Sequence, residues 1–291
     1  MSVATRVAAL PPPPETLARP GLAARRSLGQ HFLLDLNLTD RIARAAGDLS
    51  AGTTIEIGPG PGGLTRSLLR AGATRVVAVE RDRRAVEALA ELVAAADGRL
   101  ELLDADALTV DVAAFAPAPR RIVANLPYNV STALLLRWLD AADALESMTL
   151  MFQKEVVDRL VAAPRTPAYG RLSVVTQLVC EATRLFDIAP GAFTPPPKVV
   201  STVVRLVPRG GARVDDDGRP FTLASLARVT AAAFGQRRKM LRASLKAVFP
   251  DVEGTLGGLG IAATSRAEEL SPRQFAALAA RLPPGGGAQP T

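Results

Sequence analysis

The sequence predicts an α/β protein in which a doubly wound, mostly parallel sheet is followed by a small all-helical domain. Between Thr53 and Phe152, short runs of β-branched residues alternate with segments of helical periodicity. Such alternation implies right-handed crossovers between parallel strands. Beyond Pro208 the apolar residues recur only at helical spacing, which predicts a second domain built from helices.

Seven runs in the first part of the chain are predicted to be strands. Five of them, in chain order, are TTIEI, RVVAVE, LELLDAD, RIVAN and MTLMF. The last two, TRLFDI and STVVRLV, are separated by the proline-rich loop APGAFTPPPK instead of a helix. Strands without a crossover helix between them are expected to form an antiparallel hairpin, here at one edge of the sheet.

A change of composition after the last strand sets the predicted domain boundaries. The segment RGGARVDDDGRP is typical of a linker, in which Asp215 to Asp217 would form a solvated turn. Pro11 to Pro14 would break any helix at the start of the chain. Three helical segments follow the linker: FTLASLARVTAAAF, RRKMLRASLKAVF and SPRQFAALAARL, the last with Ser271 and Pro272 as a helix start. The predicted organisation is a disordered tail at 1–24, an α/β domain at 25–207, a linker at 208–220, a helical domain at 221–282 and a disordered tail at 283–291.

Basic residues are concentrated in the second half of the chain, whose formal net charge is +7. Residues 1–150 hold 16 Lys and Arg against 17 Asp and Glu, whereas residues 151–291 hold 19 against 11. This asymmetry indicates that the second half binds a polyanion, with a solvated basic surface as the alternative.

Single cysteine and histidine residues exclude several classes of site. Cys180 is the only cysteine and His31 the only histidine, so neither an internal disulfide nor a Cys/His zinc site is expected. No apolar stretch reaches the roughly 18 residues that cross a bilayer, so no membrane partner is expected. The sequence predicts a cytoplasmic monomer without a metal.

A glycine-rich turn follows the first long strand, in the segment EIGPGPGG at residues 56–63. Its glycines let the backbone approach a ligand at the N-terminus of the following helix. Glu80 lies 22 residues after Gly58, at the end of the next strand, where a carboxylate accepts hydrogen bonds from ribose hydroxyls. Both NAD-binding and S-adenosylmethionine-binding sheets share this pair of features. At the end of the third strand Asp106 would bind the adenine of such a cofactor, with Asp104 as the competing candidate.

The segment NLPYNVS, residues 125–131, directly follows the fourth strand. It suits an amine nucleophile such as adenine N6, whose lone pair is delocalised into the ring. The Asn125 side-chain carbonyl and the backbone carbonyl of Leu126 or Pro127 would accept hydrogen bonds from the amine and free that lone pair. Tyr128 offers a face on which a flipped-out base stacks. A sulfonium methyl donor is already reactive, so positioning it in line would account for much of the acceleration, and no general base is required.

Seven motifs resemble the ribosomal RNA adenine dimethyltransferase family, and most of all its bacterial small-subunit KsgA branch. They are SLGQHFLLD (27–35), EIGPGPGGLT (56–65), NLPYNVST (125–132), MFQKEVVDRL (151–160), YGRLSV (169–174), FTPPPKVVSTVVRL (193–206) and FGQRRKMLRASL (234–245). The resemblance runs from about Ser27 to Leu282. It implies a Rossmann-like class I methyltransferase sheet, S-adenosyl-L-methionine as cofactor, and the small ribosomal subunit with its 16S rRNA as partner. It also implies dimethylation of two adjacent adenosines near the 3′ end of that RNA during ribosome assembly.

The same resemblance assigns residues to roles. The cofactor-binding positions are His31, Leu33, Gly58, Glu80, Asp106 and Asn125, to which the glycine-rich turn adds Gly60. Phe193 falls at an aromatic position beside the target base and joins the catalytic set Asn125, Leu126, Pro127 and Tyr128. Asp106 is preferred over Asp104 on this resemblance. His31 is a departure, since many relatives carry asparagine there, but a neutral imidazole can replace an amide donor.

The basic run QRRKMLRASLKAVF predicts the RNA-binding face of the helical domain. Leu241, Leu245 and Val248 recur at i, i+4 and i+7 and should face the core. The expected phosphate-binding residues are Arg237, Arg238, Lys239, Arg242 and Lys246. A solvated basic face is the alternative.

Four other functions remain open from the sequence. A related large-subunit (23S) adenine N6-methyltransferase of the macrolide-resistance type is the close alternative, although the proline-rich motif and the basic helix favour the small-subunit enzyme. A DNA adenine methyltransferase would need a dedicated target-recognition region. A nicotinamide oxidoreductase would leave NLPY unexplained. A methyltransferase-fold assembly factor without turnover would not need an intact NLPY.

Overall fold

The computed structural model describes residues 1–12, 30–211 and 213–282, and the chain divides into two compact units. Unit 1 comprises Met1–Val157 and Ala182–Pro208, and unit 2 comprises Asp158–Glu181 and Arg209–Thr291. The sequence had assigned 158–181 to the α/β domain, and this was wrong. Contacts between distant segments decide membership of a unit, and the helix within 158–181 packs on helices of the C-terminal region.

Unit 1 is organised by a seven-stranded sheet of order β4-β3-β2-β5-β6-β9-β7, with a separate two-stranded sheet of β1 and β8. Pairs β2–β3, β3–β4, β2–β5 and β5–β6 are parallel, and β9 pairs antiparallel with β6. This confirms the predicted fold class, and the β1–β8 pair is an addition to it. The strands are β1 (Phe32–Leu33), β2 (Thr53–Ile57), β3 (Val76–Glu80), β4 (Leu100–Asp104), β5 (Arg120–Asn125), β6 (Ser147–Gln153), β7 (Cys180–Ile188), β8 (Phe193–Thr194) and β9 (Ser201–Pro208).

The central strands are buried on both faces. All five residues of β2 and all five of β3 are buried, as expected of parallel strands covered by helices on each side. The edge strands β4 and β7 contain buried, half-buried and exposed positions. Polar groups on the central strands can therefore reach a ligand only where the strands end.

Helices cover this sheet and connect its strands. Helix α2 begins after Asp35, whose side chain accepts the backbone N–H of Asn37, and α4 begins after Asp82 in the same way. Helix α7 crosses from unit 1 to unit 2. The helices are α1 (Val3–Ala8), α2 (Leu36–Ala45), α3 (Gly63–Arg70), α4 (Arg83–Ala88), α5 (Ala90–Ala95), α6 (Ser131–Asp140) and α7 (Lys154–Leu160).

The N-terminal residues correct the prediction of a disordered tail at 1–24. Residues 3–8 form α1, and Val3 and Val7 are buried in the core of unit 1. Arg6 of this helix pairs with Asp97 at 2.7 Å. The helix ends at Ala8, before the first proline of the run that starts at Pro11, so the predicted helix-breaking does not reach it. The rest of that segment, 13–24, lies outside the described residues, as does the predicted tail at 283–291.

Unit 2 is helical, as predicted for the C-terminal region. Helices α8, α9 and α12 pack on one another, with the Phe234 ring stacked on Phe275 and edge-on to Tyr169. Ser271 caps α12 through a reciprocal bond with Gln274, which confirms the predicted helix start. The helices of this unit are α8 (Arg171–Val179), α9 (Leu223–Gly235), α10 (Leu241–Ser244), α11 (Val252–Gly258) and α12 (Pro272–Ala280). Within the described residues no helix is both long enough and apolar enough to span a membrane.

The basic segment forms a shorter helix than predicted. Residues 236–239 form a turn closed by the bond from the Lys239 N–H to the Gln236 carbonyl, and α10 starts only at Leu241. Residues 245–247 continue as a 3₁₀ turn. Leu241 and Leu245 are fully buried and Val248 is half-buried, which confirms the predicted core face.

The described residues of the predicted linker from Arg209 onward belong to unit 2. Asp215 is buried and accepts the N–H groups of Asp217 and Arg219 and the guanidinium of Arg281, so it does not lie in a solvated turn. Burial opposes ionisation of Asp215, but these donors outweigh it and hold its pKa below the ordinary value. Asp216 pairs with Arg273, so this acidic turn is fastened to α12.

Candidate active site

A cavity of about 140 Å³ opens in unit 1 at the carboxyl ends of the central strands. Parallel α/β sheets bind ligands at this edge. Three chain segments predicted from the sequence meet there: the turn after β2, the end of β3 and the loop after β5. The lining residues are Gln30, His31, Phe32, Gly58, Gly60, Glu80, Arg81, Asn125, Leu126, Pro127, Tyr128, Asn129 and Val130.

The turn after β2 has a backbone that requires glycine. Gly58 and Gly60 have φ angles of +69° and +53°, in the left-handed region that side chains disfavour. A Cβ on Gly60 would lie 2.9 Å from the ring of Phe32. The turn is therefore open to a ligand on one side and packed against β1 on the other.

Glu80 ends β3 and holds this turn. Its carboxylate accepts the Gly60 N–H at 3.3 Å and the N–H groups of Arg81 and Asp82, both at 2.9 Å. Burial raises the pKa of Glu80, and the three N–H donors oppose that rise. A carboxylate has room for about four hydrogen bonds, so one acceptor position remains beside the long contact to Gly60.

Asp106, predicted to meet a cofactor adenine, is not part of the cavity wall that the described residues form. Its carboxylate accepts the Leu108 N–H at 2.9 Å and pairs with Arg81 at 3.2 Å. Arg81 itself lines the cavity, so Asp106 lies one residue away from it. The competing candidate Asp104 pairs with Arg83 at 3.3 Å.

Asn125 ends β5, and its amide points into the cavity region. Its Nδ2 donates to the His31 carbonyl at 3.2 Å, which directs Oδ1 to act as an acceptor for another group. The Pro127 carbonyl already accepts the Val130 N–H at 3.2 Å. This bond favours the Leu126 carbonyl as the second acceptor, where the sequence had left Leu126 and Pro127 open.

Two rings close the side of the cavity formed by the loop after β5. The ring centroids of His31 and Tyr128 lie 5.5 Å apart with a tilt of 31°. His31 Nδ1 lies 2.8 Å from the Pro195 carbonyl oxygen, and the Tyr128 hydroxyl lies 2.6 Å from Ser201 Oγ. The two rings are therefore each held by a contact outside their own segment.

Leu33 and Phe193, predicted at a cofactor-binding position and beside the target base, lie opposite one another in the structure. They pair in the β1–β8 register, and both are buried in the hydrophobic core of unit 1. Phe193 is only 3% exposed and so does not present its ring to a target base in this structure. Leu33 lines a smaller neighbouring cavity together with Glu56 and Asn125.

Comparison with known proteins identifies the family. The family model described as ribosomal RNA adenine dimethylase matches residues 21–283. The chain belongs to this family. It is 60% identical, over 95% of its length, to proteins named ribosomal RNA small subunit methyltransferase A from Rhodospirillum rubrum and Paramagnetospirillum magneticum, covering 94% and 96% of them.

Solved structures of related proteins agree on the fold. A dimethyladenosine transferase from Plasmodium falciparum has a TM-score of 0.72 at 24% identity, with 85% of this chain and 96% of that one covered. The 23S rRNA methyltransferase ErmE has a TM-score of 0.64 at 28% identity, with 86% and 99% covered. The shared fold therefore covers most of this chain and nearly the whole of each of the two solved chains.

The predicted basic residues lie in unit 2, and one of them, Arg237, is already bonded to other groups there. Arg237 pairs with Glu268 at 2.9 Å and donates to the Thr166 carbonyl at 3.3 Å. Its guanidinium is thus engaged within unit 2. The remaining predicted phosphate ligands are exposed; they are Arg238, Lys239, Arg242 and Lys246.

Several residues at the cavity were missed from the sequence. Gln30, Phe32, Arg81, Asn129 and Val130 line it. Arg81 follows Glu80 directly, and Asn129 and Val130 belong to the NLPYNVS motif, so proximity to a motif was their only signal. Gln30 and Phe32 flank His31 within the motif SLGQHFLLD, which was their only signal.

Glu56 is a buried carboxyl. Its signal in the sequence is that it is the one charged residue within β2. It is 1% exposed, and its Oε2 has no hydrogen-bond partner among the described residues. Burial, with the nearby Glu80 carboxylate adding to it, raises the pKa of Glu56 from 4.5 to about 8. The group is therefore neutral in the folded protein at neutral pH.

Replacing Glu56 with Gln is expected to remove a pH dependence of stability. Below pH 4.5 both folded and unfolded chains hold this proton; between 4.5 and about 8 only the folded protein holds it. The contribution of this group to the free energy of unfolding is therefore complete below pH 4.5. It falls as the pH rises towards 8, by at most roughly 1.4 kcal/mol per pH unit. Urea unfolding at pH 5, 6.5 and 8 should show Glu56→Gln with a flatter profile and higher stability than the wild type at pH 8. Glu101→Gln, at an exposed position on β4, is the control, and parallel profiles for Glu56→Gln and wild type would contradict the assignment.

Proposed function

We propose that this chain transfers methyl groups from S-adenosyl-L-methionine to the N6 amines of two adjacent adenosines near the 3′ end of 16S rRNA in the small ribosomal subunit. One observation carries the proposal: the Asn125-Leu126-Pro127-Tyr128 loop lines the same cavity as the glycine turn and Glu80. A nucleoside-binding half and an amine-binding half thus share one space. Relatives at 60% identity carry the small-subunit name.

The cavity residues fit this cofactor. The buried Glu80 carboxylate keeps an acceptor position for ribose hydroxyls, and Gly60 leaves the space that a Cβ would fill against Phe32. When bound, the cofactor supplies a methyl group activated on a sulfonium. Asp106 and Arg81 lie beyond Glu80. There the Asp106 carboxylate would accept a hydrogen bond from the adenine amino group once Arg81 moves aside.

The loop after β5 prepares the amine. Asn125 Oδ1 and the Leu126 carbonyl would accept its two N–H groups, pulling the nitrogen towards tetrahedral geometry. These acceptors are fixed before the base arrives, because the Asn125 amide is already bonded to the His31 carbonyl. Preorganised acceptors of this kind stabilise the transition state without later reorganisation. Tyr128, backed by His31, would stack on the base.

Unit 2 supplies contacts of a different kind. Arg238, Lys239, Arg242 and Lys246 are exposed on one short segment and suit phosphate oxygens. Phosphate contacts position RNA without reading its sequence. We place this binding on small subunits in the cytoplasm, with the protein acting as a monomer.

The alternative is methylation of 23S rRNA, since ErmE shares the fold at 28% identity. The two are separated by giving labelled S-adenosyl-L-methionine to small subunits that lack these methyl groups and, in parallel, to large subunits. The RNA is then digested to nucleosides. Labelled dimethyladenosine from the small subunits alone is expected. Label confined to the large subunits would identify the resistance type of enzyme, and no label in either would overturn the proposal.

Glu80→Ala is expected to weaken cofactor binding by about 1.5–3 kcal/mol, the range for hydrogen bonds to a charged group. The loss arises because the ribose acceptor is removed and the glycine turn loses its bond to Glu80. Isothermal titration calorimetry on the folded variant measures it. Glu101→Ala is the matched control, and wild-type affinity in Glu80→Ala would reject the ribose assignment.

Asn125→Ala is expected to lower single-turnover methylation by on the order of a hundredfold, as for loss of one preorganised transition-state contact. RNA affinity should stay near wild type because the amine meets Asn125 only after the base has flipped. Rates are measured at saturating subunits and cofactor, with cofactor affinity determined separately because the bond to His31 is also lost. The control is Asn37→Ala, an exposed asparagine in the first turn of α2 that does not line the cavity. A rate within about twofold of wild type would show that this amide does not act on the amine.

Exchanging both Arg238 and Arg242 for Gln is expected to weaken subunit binding without changing which adenosines are modified. If both contact phosphates, the slope of log affinity against log salt should become shallower by roughly 0.7 per contact on single-stranded RNA. Binding across a salt series measures this. Arg228→Gln, exposed on α9, controls for net charge. An unchanged slope in the folded double variant would assign this face to solvent.

A further inference from the structure

The ring of Tyr128 is held from outside its own loop. Its hydroxyl oxygen lies 2.6 Å from Oγ of Ser201, a fully buried residue at the start of β9. Tyr128 follows β5, and β9 is separated from β5 by the intervening strand β6. The hydrogen bond therefore ties the loop to a strand that is not its neighbour.

The other contacts of this loop fix its backbone but not the ring. Ser131 Oγ donates to the Tyr128 carbonyl at 3.1 Å, and the Val130 N–H donates to the Pro127 carbonyl. The torsion that rotates a tyrosine ring has a broad energy profile, so backbone bonds alone leave the ring plane poorly defined. The bond to Ser201 is the contact that acts on the far end of the ring.

His31 is fixed in a parallel way. Its Nδ1 lies 2.8 Å from the Pro195 carbonyl oxygen, and its ring packs on that of Tyr128. Pro195 directly follows β8, and Ser201 is the first residue of β9. The motif FTPPPKVVSTVVRL thus contributes two anchors for the ring pair, while its own aromatic residue, Phe193, packs in the core.

We propose that Ser201 is a positioning residue for the target base, which holds the Tyr128 ring at the angle on which the flipped adenine stacks. This inference rests on the proposed function, in which Tyr128 stacks on that base. Phosphate contacts hold the RNA independently of the ring, so a loosened ring should lower kcat and leave KM for small subunits near the wild-type value.

The test is a double-mutant cycle on full-length protein with unmethylated small subunits. Ser201→Ala and Tyr128→Phe each remove the same hydrogen bond, and each should lower kcat by about three- to tenfold, the factor for one ordinary hydrogen bond. The double variant should lose no more than either single variant, because the bond can be lost only once. Ser147→Ala is the matched control and should keep wild-type kcat. Ser147 is a buried serine at the start of β6, whereas Ser201 lies opposite the last residue of β6 in the same sheet.

A spectroscopic signature separates ring positioning from general loosening. The chain has two tyrosines, so ¹³C-labelled tyrosine gives two sets of ring signals. Tyr169, whose hydroxyl donates to the Leu270 carbonyl in unit 2, is the internal reference. Ser201→Ala should shift the Tyr128 signals and leave those of Tyr169 unchanged, and Ser147→Ala should shift neither.

Three results would overturn the inference. They are wild-type kcat in a folded Ser201→Ala variant, additive losses in the double variant, and Tyr128 signals that do not respond to Ser201→Ala. If Ser201→Ala does not fold, Tyr128→Phe still breaks the bond from the other side, and wild-type kcat there overturns it equally. Failure of the proposed function itself would look different: wild-type protein would give no dimethyladenosine on small subunits, whereas the tyrosine signals would still report the ring.

Discussion

The register of the parallel strands decides which groups can meet at the cavity. Ile57 lies opposite Val79, so the next residues, Gly58 and Glu80, leave β2 and β3 at the same level. Ile55 lies opposite Ile122, and three residues further on this register brings Asn125 to that level too. A slip of one residue would turn every side chain of a strand to the other face of the sheet and dismantle this arrangement. The complete burial of β2 and β3 is what makes the register unique, because any slip would exchange packed side chains on both faces.

Sequence patterns predicted the parts of the fold that depend on local periodicity. The seven long strands and the capped helix after Ser271 follow from β-branched runs and end signals, which act within a few residues. The errors come from contacts across long separations. Val3 and Val7 gain a core that only the folded unit provides, so a short helix forms before the prolines. Asp215 is buried because Arg281, distant in sequence, reaches it. Membership of 158–181 in unit 2 has the same origin, since α8 packs on α9 and α12.

The candidate site likewise contains features that local motifs predict and features that depend on contacts across long separations. The glycine turn, Glu80 and NLPY were predictable because each motif lies directly at the end of a strand, where the fold class itself places a ligand. The anchors of the ring pair were not, because Pro195 lies 164 residues from His31 and Ser201 lies 73 residues from Tyr128. The burial of Phe193 was unpredictable for a related reason: it pairs with Leu33 in a two-residue strand, and pairs this short leave no periodicity in the sequence.

The electrostatics of the cavity region argue against the nicotinamide alternative. A dinucleotide would bring its pyrophosphate to the glycine turn, next to Glu80 and close to Glu56. Glu56 is already so disfavoured as an anion that its pKa lies at about 8, and burial raises the pKa of Glu80 in the same direction. Added negative charge would raise the pKa of Glu80 further and disfavour its charged form, by about 1.4 kcal/mol for each tenfold change in its acid dissociation constant. Arg81, the cation in the cavity wall, is already paired with Asp106. A ligand that carries a ribose and an adenine but no phosphate, and a positive charge at its reactive centre, meets the Glu80 carboxylate without that cost.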